Sequence, residues 1–285
     1  MSGSGARLKR SGMIDMEANS TLVQQRPAHE AVPGFGPPPF PSVIVLHDIF
    51  GLDAQTRAMT NRLAREGFYA IAPNFYGLPF SLAAGAPDWM SSGFRIAGDA
   101  ELEGMPVASA FDHREREEAQ ARWLTLSDRH ALDTLQAAMN HLALVSDAVS
   151  APVGLLGFGA GGHLGFLGAC ELGSAIGAAA LFSPNALAAA RRSAGEGLPL
   201  ARFEGISCPL MIFYGAQDDE VRRQEREAVA TVLRSSGKPH EIVEFPEAEH
   251  RFFDGESEEL RIGAAKKAWM RTIDFFSRTL ARSRP

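Results

Sequence analysis

From residue 43 onward, short apolar runs alternate with amphipathic stretches. Val43-Ile44-Val45-Leu46 is continuous and apolar, as in a strand buried on both faces. Asp53 can cap a helix over 54–66, and Gly67 can end it. Residues 68–72 read as the next strand, closed by Pro73. Residues 111–144 read as mostly helix, in one or two segments. Their first part is charged (Arg114 to Glu118), and their second carries apolar residues at helical spacing (Leu132, Leu135, Ala138, Met139, Leu142). Further strands are expected at 153–158, 177–182, 210–214 and 241–245. Helices are expected from a glycine-rich turn through 172, over 220–236 before Gly237, and from Ser257 to about 280. This alternation predicts an α/β fold, a mostly parallel central sheet with helices on both faces, in one domain over 41–285.

Two segments break the rhythm. Residues 1–40 read as an N-terminal tail with an edge hairpin over 13–32 and a stiff Gly34-to-Pro39 connector. Residues 77–110 are rich in Gly, Ser and Pro and read as a long irregular excursion, which is unusual in a compact domain and often functional.

Composition narrows the function classes. Apolar residues make up 45% and charged residues 22%, which excludes a mostly disordered chain and a rod. The net charge is 28 − 34 = −6, with no basic stripe, so no nucleic-acid partner is expected. Two cysteines, Cys170 and Cys208, cannot form a disulfide framework and fit a reducing compartment. No apolar leader region follows the basic residues near Met1, and no run approaches the ~20 apolar residues of a membrane span. A cytoplasmic location with no transmembrane segment is expected.

In open α/β sheets, chemistry gathers where strands end. His47-Asp48-Ile49-Phe50-Gly51 follows the first core strand, and Gly157-Phe158-Gly159-Ala160-Gly161-Gly162 follows the strand at 153–158. Gly215-Ala216-Gln217-Asp218-Asp219 and Glu247-Ala248-Glu249-His250-Arg251-Phe252 follow two later strands. The last three have the order of an α/β-hydrolase triad: nucleophile, acid, histidine. Asp218 lies 218 − 159 = 59 residues after Gly159, and His250 lies 250 − 218 = 32 residues after Asp218. The nucleophile position is Gly159, which has no attacking atom. Asp219 is the rival for the acid. His47 and Asp48 with His250 would make a metal set, but no second cluster has ligand spacing, so no metal is expected. The glycine-rich turn also resembles a dinucleotide fingerprint, although Ser183-Pro184-Asn185 stands where that fingerprint wants an acid. His113, His130, His141 and His163 read as surface or packing residues, and both cysteines as buried or inert.

At this point the chain resembles the dienelactone hydrolase family (carboxymethylenebutenolidase-like, of the α/β-hydrolase superfamily). Residues 43–51 look like its first core strand and oxyanion loop, Asn74-Phe75-Tyr76 like its D-L-Y turn, and Arg116 to Trp123 like its charged helix. The glycine turn, the Asp218 turn and the His250 segment follow in family order. The resemblance implies His250 as general base, Asp218 as its orienting acid and Asp48 at the active-site carboxylate position, usually Glu. It implies an oxyanion hole from the N–H groups of Ile49 and Ala160. It also implies hydrolysis of small esters or lactones with no cofactor. The chain departs from the family at Gly159, where a Cys or Ser nucleophile is usual. It departs again at Asn74, at Leu78 in place of an arginine that binds a substrate carboxylate, and at Glu249 before the histidine.

Two functions are therefore in view. One is a hydrolase of small esters or lactones, impaired or using water in place of the missing nucleophile, with His250 as base. The other is a non-catalytic pseudoenzyme, a scaffold or binding subunit whose protein partner docks on the 77–110 excursion through Trp89, Met90, Phe94 and Met105. A nucleotide-binding module is the weaker third, with phosphate at Ala160 to Gly162.

Overall fold

In the computed structural model the described residues are 28–76, 113–188, 197–253 and 258–280, with the backbone alone for 258–262. The seven strands are β1 (Ala28–Ala31), β2 (Ser42–Leu46), β3 (Tyr69–Pro73), β4 (Val153–Phe158), β5 (Ile176–Phe182), β6 (Leu210–Gly215) and β7 (His240–Phe245). They form one sheet in the order β1-β3-β2-β4-β5-β6-β7. All neighbours are parallel except β1, which pairs antiparallel with β3 at the edge. The sheet and its helices match the expected α/β-hydrolase architecture.

Burial explains the continuous apolar runs. Ile44 and Leu46 enter one core cluster, while Val43 and Val45 enter another on the opposite face. Alternate residues of β2 thus point to opposite faces, and both faces are covered. The first cluster includes residues of α2 (His113–Thr125), α3 (Asp128–Leu142), α4 (Ala160–Glu171) and α5 (Arg223–Ser236). The second includes Leu63 of α1 (Ala54–Arg65) and Trp269 and Phe276 of α6 (Glu258–Leu280). Each fully buried Leu, Ile or Phe on these faces stabilises the fold by ~1.5–3 kcal/mol before conformational entropy is counted. Among the described residues, no helix is long and apolar enough to cross a membrane.

Most boundaries agree with the hydrophobic pattern. Asp53 caps α1 by accepting from Thr56 N–H at 2.8 Å. The helical segment at 111–144 is two helices, separated at Ser127, which caps α3. One helix starts later than its pattern predicts: α5 begins at Arg223 rather than 220. Asp218 Oδ1 accepts the N–H groups of Glu220 (3.0 Å) and Val221 (2.7 Å), so these residues close a turn around the acid instead of opening a helix. The expected Ser257 cap, the 13–27 part of the hairpin, Leu78 and the whole 77–110 excursion lie outside the described residues.

β2 and β4 lie side by side, but β3 follows β2 on one side and the chain returns to place β4 on the other. The switch in direction therefore falls between the ends of β2 and β4, where such sheets form ligand crevices.

Candidate active site

The end of β4 turns sharply into α4 through Gly159, which has φ 52° and ψ −112°. This left-handed conformation is strained for any residue with a side chain, by about 1–3 kcal/mol, and glycine removes that cost. The helix approaches the sheet closely because Gly161 has no side chain. A Cβ there would lie 2.1 Å from the Leu46 carbonyl oxygen. The turn has the sharp strand-to-helix geometry of an elbow, with a glycine at its apex.

Asp48, in the loop after β2, occupies the space beside Gly159. A Cβ on residue 159 would lie 2.5 Å from Asp48 Oδ1, 2.8 Å from its Cγ and 3.1 Å from Oδ2. Ala160 N–H donates to Asp48 Oδ1 at 3.0 Å, at the N-terminus of α4 where the helix dipole favours an anion. The N–H expected to serve an oxyanion is thus engaged by the protein's own carboxylate. Ile49, the other expected donor, is partly buried beside Phe50 and Ala119.

His47 fixes the start of this loop. Its Nδ1 meets the Asp48 carbonyl oxygen at 2.7 Å, and its Nε2 accepts from Phe75 N–H at 3.0 Å. Burial pushes its pKa down to about 4, so the ring is neutral at pH 7 and Nδ1 carries the hydrogen. Both ring nitrogens are committed to backbone. Among the described residues, no group of three His, Cys, Asp or Glu side chains is placed to hold a metal.

Across the cavity, His250 Nδ1 donates to both carboxylate oxygens of Asp218, at 2.9 Å each. The Asp218 side chain is fully buried, whereas Asp219 is exposed, so Asp218 is the histidine's partner. Burial raises the Asp218 pKa, but the hydrogen bond and charge of His250 outweigh it and leave the carboxyl below its ordinary value. Burial lowers the His250 pKa, but the hydrogen bond and charge of Asp218, then the charges of Glu220 and Asp48, leave it raised. His250 Nε2 lies 3.4 Å from Glu220 Oε2. Asp48, Gly159, Ser183, His250 and Arg251 line one cavity of about 30 Å³, room for a water or two.

Two arginines complete the site. Arg251, at φ 58°, places Nη1 3.5 Å from Asp48 Oδ2 and its guanidinium 4.8 Å from the Phe50 ring centre. Arg226 is buried beneath the acid turn and donates to the carbonyl oxygens of Val221 (2.6 Å), Ala216 (3.3 Å) and Asp218 (3.4 Å). Neither was legible as functional in the sequence, since an arginine on a charged helix or beside a histidine reads as solvated. The 32-residue spacing before His250 gave no sign of the support at Arg226.

The remaining candidates fall elsewhere. Asn74 Oδ1 accepts from Tyr76 N–H at 2.9 Å and shapes its own turn. Glu249 is exposed, as is His113. His163 packs edge-on against Trp123, His130 meets the Phe75 carbonyl, and His141 pairs with Glu30. Burial raises the Cys170 and Cys208 thiols to about 12 and 11, so neither is a thiolate near pH 7.

A parallel sheet with an elbow after β4, an acid after β6 and a histidine after β7 defines an α/β-hydrolase. The chain belongs to the dienelactone hydrolase family, whose family model matches residues 31–280. It is 25% identical over 279 residues to the carboxymethylenebutenolidase of Rhodococcus opacus, covering 92% of this chain and 96% of that one. Over 243 residues it is 26% identical to a candidate carboxymethylenebutenolidase from Synechocystis sp., covering 85% and 87% of the two chains. Among solved structures, a candidate dienelactone hydrolase from Klebsiella pneumoniae subsp. pneumoniae aligns with a TM-score of 0.68 at 22% identity, covering 88% of this chain and 98% of that one.

Proposed function

We propose that this chain hydrolyses small esters or lactones with an activated water in place of a serine or cysteine nucleophile. The observation that carries the reading is the His250–Asp218 pair, made through two 2.9 Å contacts and opening on the cavity beside Gly159. His250 takes a proton from water, Asp218 stabilises the imidazolium, and the hydroxide attacks the substrate carbonyl. The carbonyl oxygen reaches Ala160 N–H by displacing the Asp48 carboxylate, and Arg251 at 3.5 Å holds that carboxylate once displaced. Loss of a nucleophile from a triad costs on the order of 10⁶ in turnover, and the remaining groups still exceed water by 10³–10⁴. A slow hydrolase is the expected behaviour.

Hydrolysis of an activated acetate ester and a small lactone, beside His250→Ala, tests this. Activity that disappears in His250→Ala supports the reading, and activity that is unchanged overturns it. If neither protein is active, the non-catalytic scaffold reading takes its place.

A further inference from the structure

We propose that Asp48 is itself a covalent nucleophile, and that the site displaces halide from small alkyl halides. The proposal shares with the ester reading the activation of water by His250 and the Ala160 N–H as oxyanion donor, and differs from it in the nucleophile and the substrate. Its main support is the overlap at residue 159. Asp48 Oδ1 comes within 2.5 Å of the point a Cβ on residue 159 would occupy, so the loop after β2 supplies across the switch point the side chain that the turn after β4 lacks. This carboxylate is held at one oxygen by Ala160 N–H (3.0 Å) and lies near Arg251 at the other (3.5 Å). It lines the same cavity as His250.

The chemistry of a carboxylate selects the substrate. At a carbonyl carbon, the tetrahedral adduct would expel the carboxylate again, because it leaves more readily than an alkoxide. At a saturated carbon no such return exists. Asp48 Oδ2 forms the new C–O bond while the C–halogen bond breaks, and the halide departs with the bonding pair. A leaving group that needs no proton suits a site whose His250 must stand unprotonated to activate water and whose Arg251 does not surrender a proton. The product is an alkyl ester of Asp48 with Oδ1 as its carbonyl oxygen. Oδ1 already faces Ala160 N–H, so the donor stands where the next oxyanion forms. His250 removes a proton from water, and the hydroxide adds to Asp48 Cγ. The intermediate then expels the alkoxide, which takes the proton from His250. The sum is alkyl halide plus water giving alcohol, halide and a proton. The alcohol oxygen comes from Asp48, and one water oxygen stays in the regenerated carboxylate.

The test uses the full chain with 1-bromobutane. The wild type should release bromide, His250→Gln should stall with one butyl group on the peptide containing Asp48, and Asp48→Asn should release bromide at the buffer rate while keeping its circular dichroism. A single turnover in ¹⁸O-water should give unlabelled butanol and place the label in Asp48. Labelled butanol, an adduct on another residue, or bromide release unchanged in Asp48→Asn would overturn the proposal. If bromide is not released while the same preparation cleaves an acetate ester in a His250-dependent way, this proposal falls and the ester reading stands. If neither substrate reacts, both fall.

Discussion

Three carboxylates act on His250: Asp218 through its hydrogen bond, and Glu220 and Asp48 through their charge. They hold the proton on the ring, so the base form appears only above the ordinary histidine range. Hydrolysis should therefore rise with pH, with its midpoint above ~6.5. Asp218→Asn should lower that midpoint and cost on the order of 10⁴ in turnover, as removal of the orienting acid does elsewhere. A rate-against-pH profile of both proteins checks this, and a midpoint that does not move would remove Asp218 from the pair. The stability signs differ for the two residues. The lowered Asp218 pKa contributes stability above ~3.9 that is lost as pH falls through its folded value. The raised His250 pKa contributes stability below ~6.5 that is lost as pH rises through its folded value. Between ~4 and ~6.5 both contributions are present, so Asp218→Asn should lower the thermal midpoint most in that window. At the neighbouring position, Gly159→Ser should not by itself restore an acyl-enzyme. Its Cβ would lie 2.5 Å from Asp48 Oδ1, and its backbone would take on about 1–3 kcal/mol of strain. Gly159→Ser with Asp48→Ala clears the space. A burst of product from an activated ester should appear in the double variant alone, and a burst in the single variant would show that Asp48 yields readily.

The elements that build the site were legible where their signals are local. The strand runs at 43–46 and 153–158, the Asp53 cap and the glycines of the elbow are each set by neighbours a few residues away. Gly159, Asp218 and His250 could be placed because each lies within a short turn of a strand end, 159 − 158 = 1, 218 − 215 = 3 and 250 − 245 = 5 residues on. The resemblance implied that Asp48 shares the site with Gly159, but their direct contact was not legible, since the two are 159 − 48 = 111 residues apart and β2 and β4 touch only after the sheet assembles. Arg226 was hidden for the same reason: only the folded turn brings three carbonyl oxygens to its guanidinium. The element with least tolerance is the elbow. In Gly161→Ala the new methyl would lie 2.1 Å from the Leu46 carbonyl oxygen, a backbone atom of β2 that cannot rotate away. Either α4 lifts from the sheet or β2 and β4 separate. A loss of about 1–3 kcal/mol or more is expected, read in chemical unfolding, and any lifting of α4 carries Ala160 N–H away from Asp48. Gly161→Ala should therefore lose activity even at temperatures where it remains folded.

At the scale of the whole molecule, the sheet separates stability from chemistry along the length of β4. Its start is packed by α6, since the space a Cβ on Gly154 would need is closed by Leu280 Cδ1 at 2.9 Å and Phe276 Cε1 at 3.3 Å. Its end is Gly159 and the cavity, five residues or about 16 Å further along the strand at ~3.3 Å per residue. Phe276 is fully buried in the core that α1 and α6 share, so Phe276→Ala opens a cavity there and should cost about 3–5 kcal/mol. The charges around His250 belong to the loops after β2 and β6, neither of which Phe276 packs within. The thermal midpoint of Phe276→Ala should fall by several degrees, while the pH midpoint of hydrolysis by the folded protein stays that of the wild type. A shifted pH midpoint would mean that packing at one end of β4 sets the position of Asp48 or His250 at the other. The strand would then be a coupling element, with stability and chemistry joined along its length.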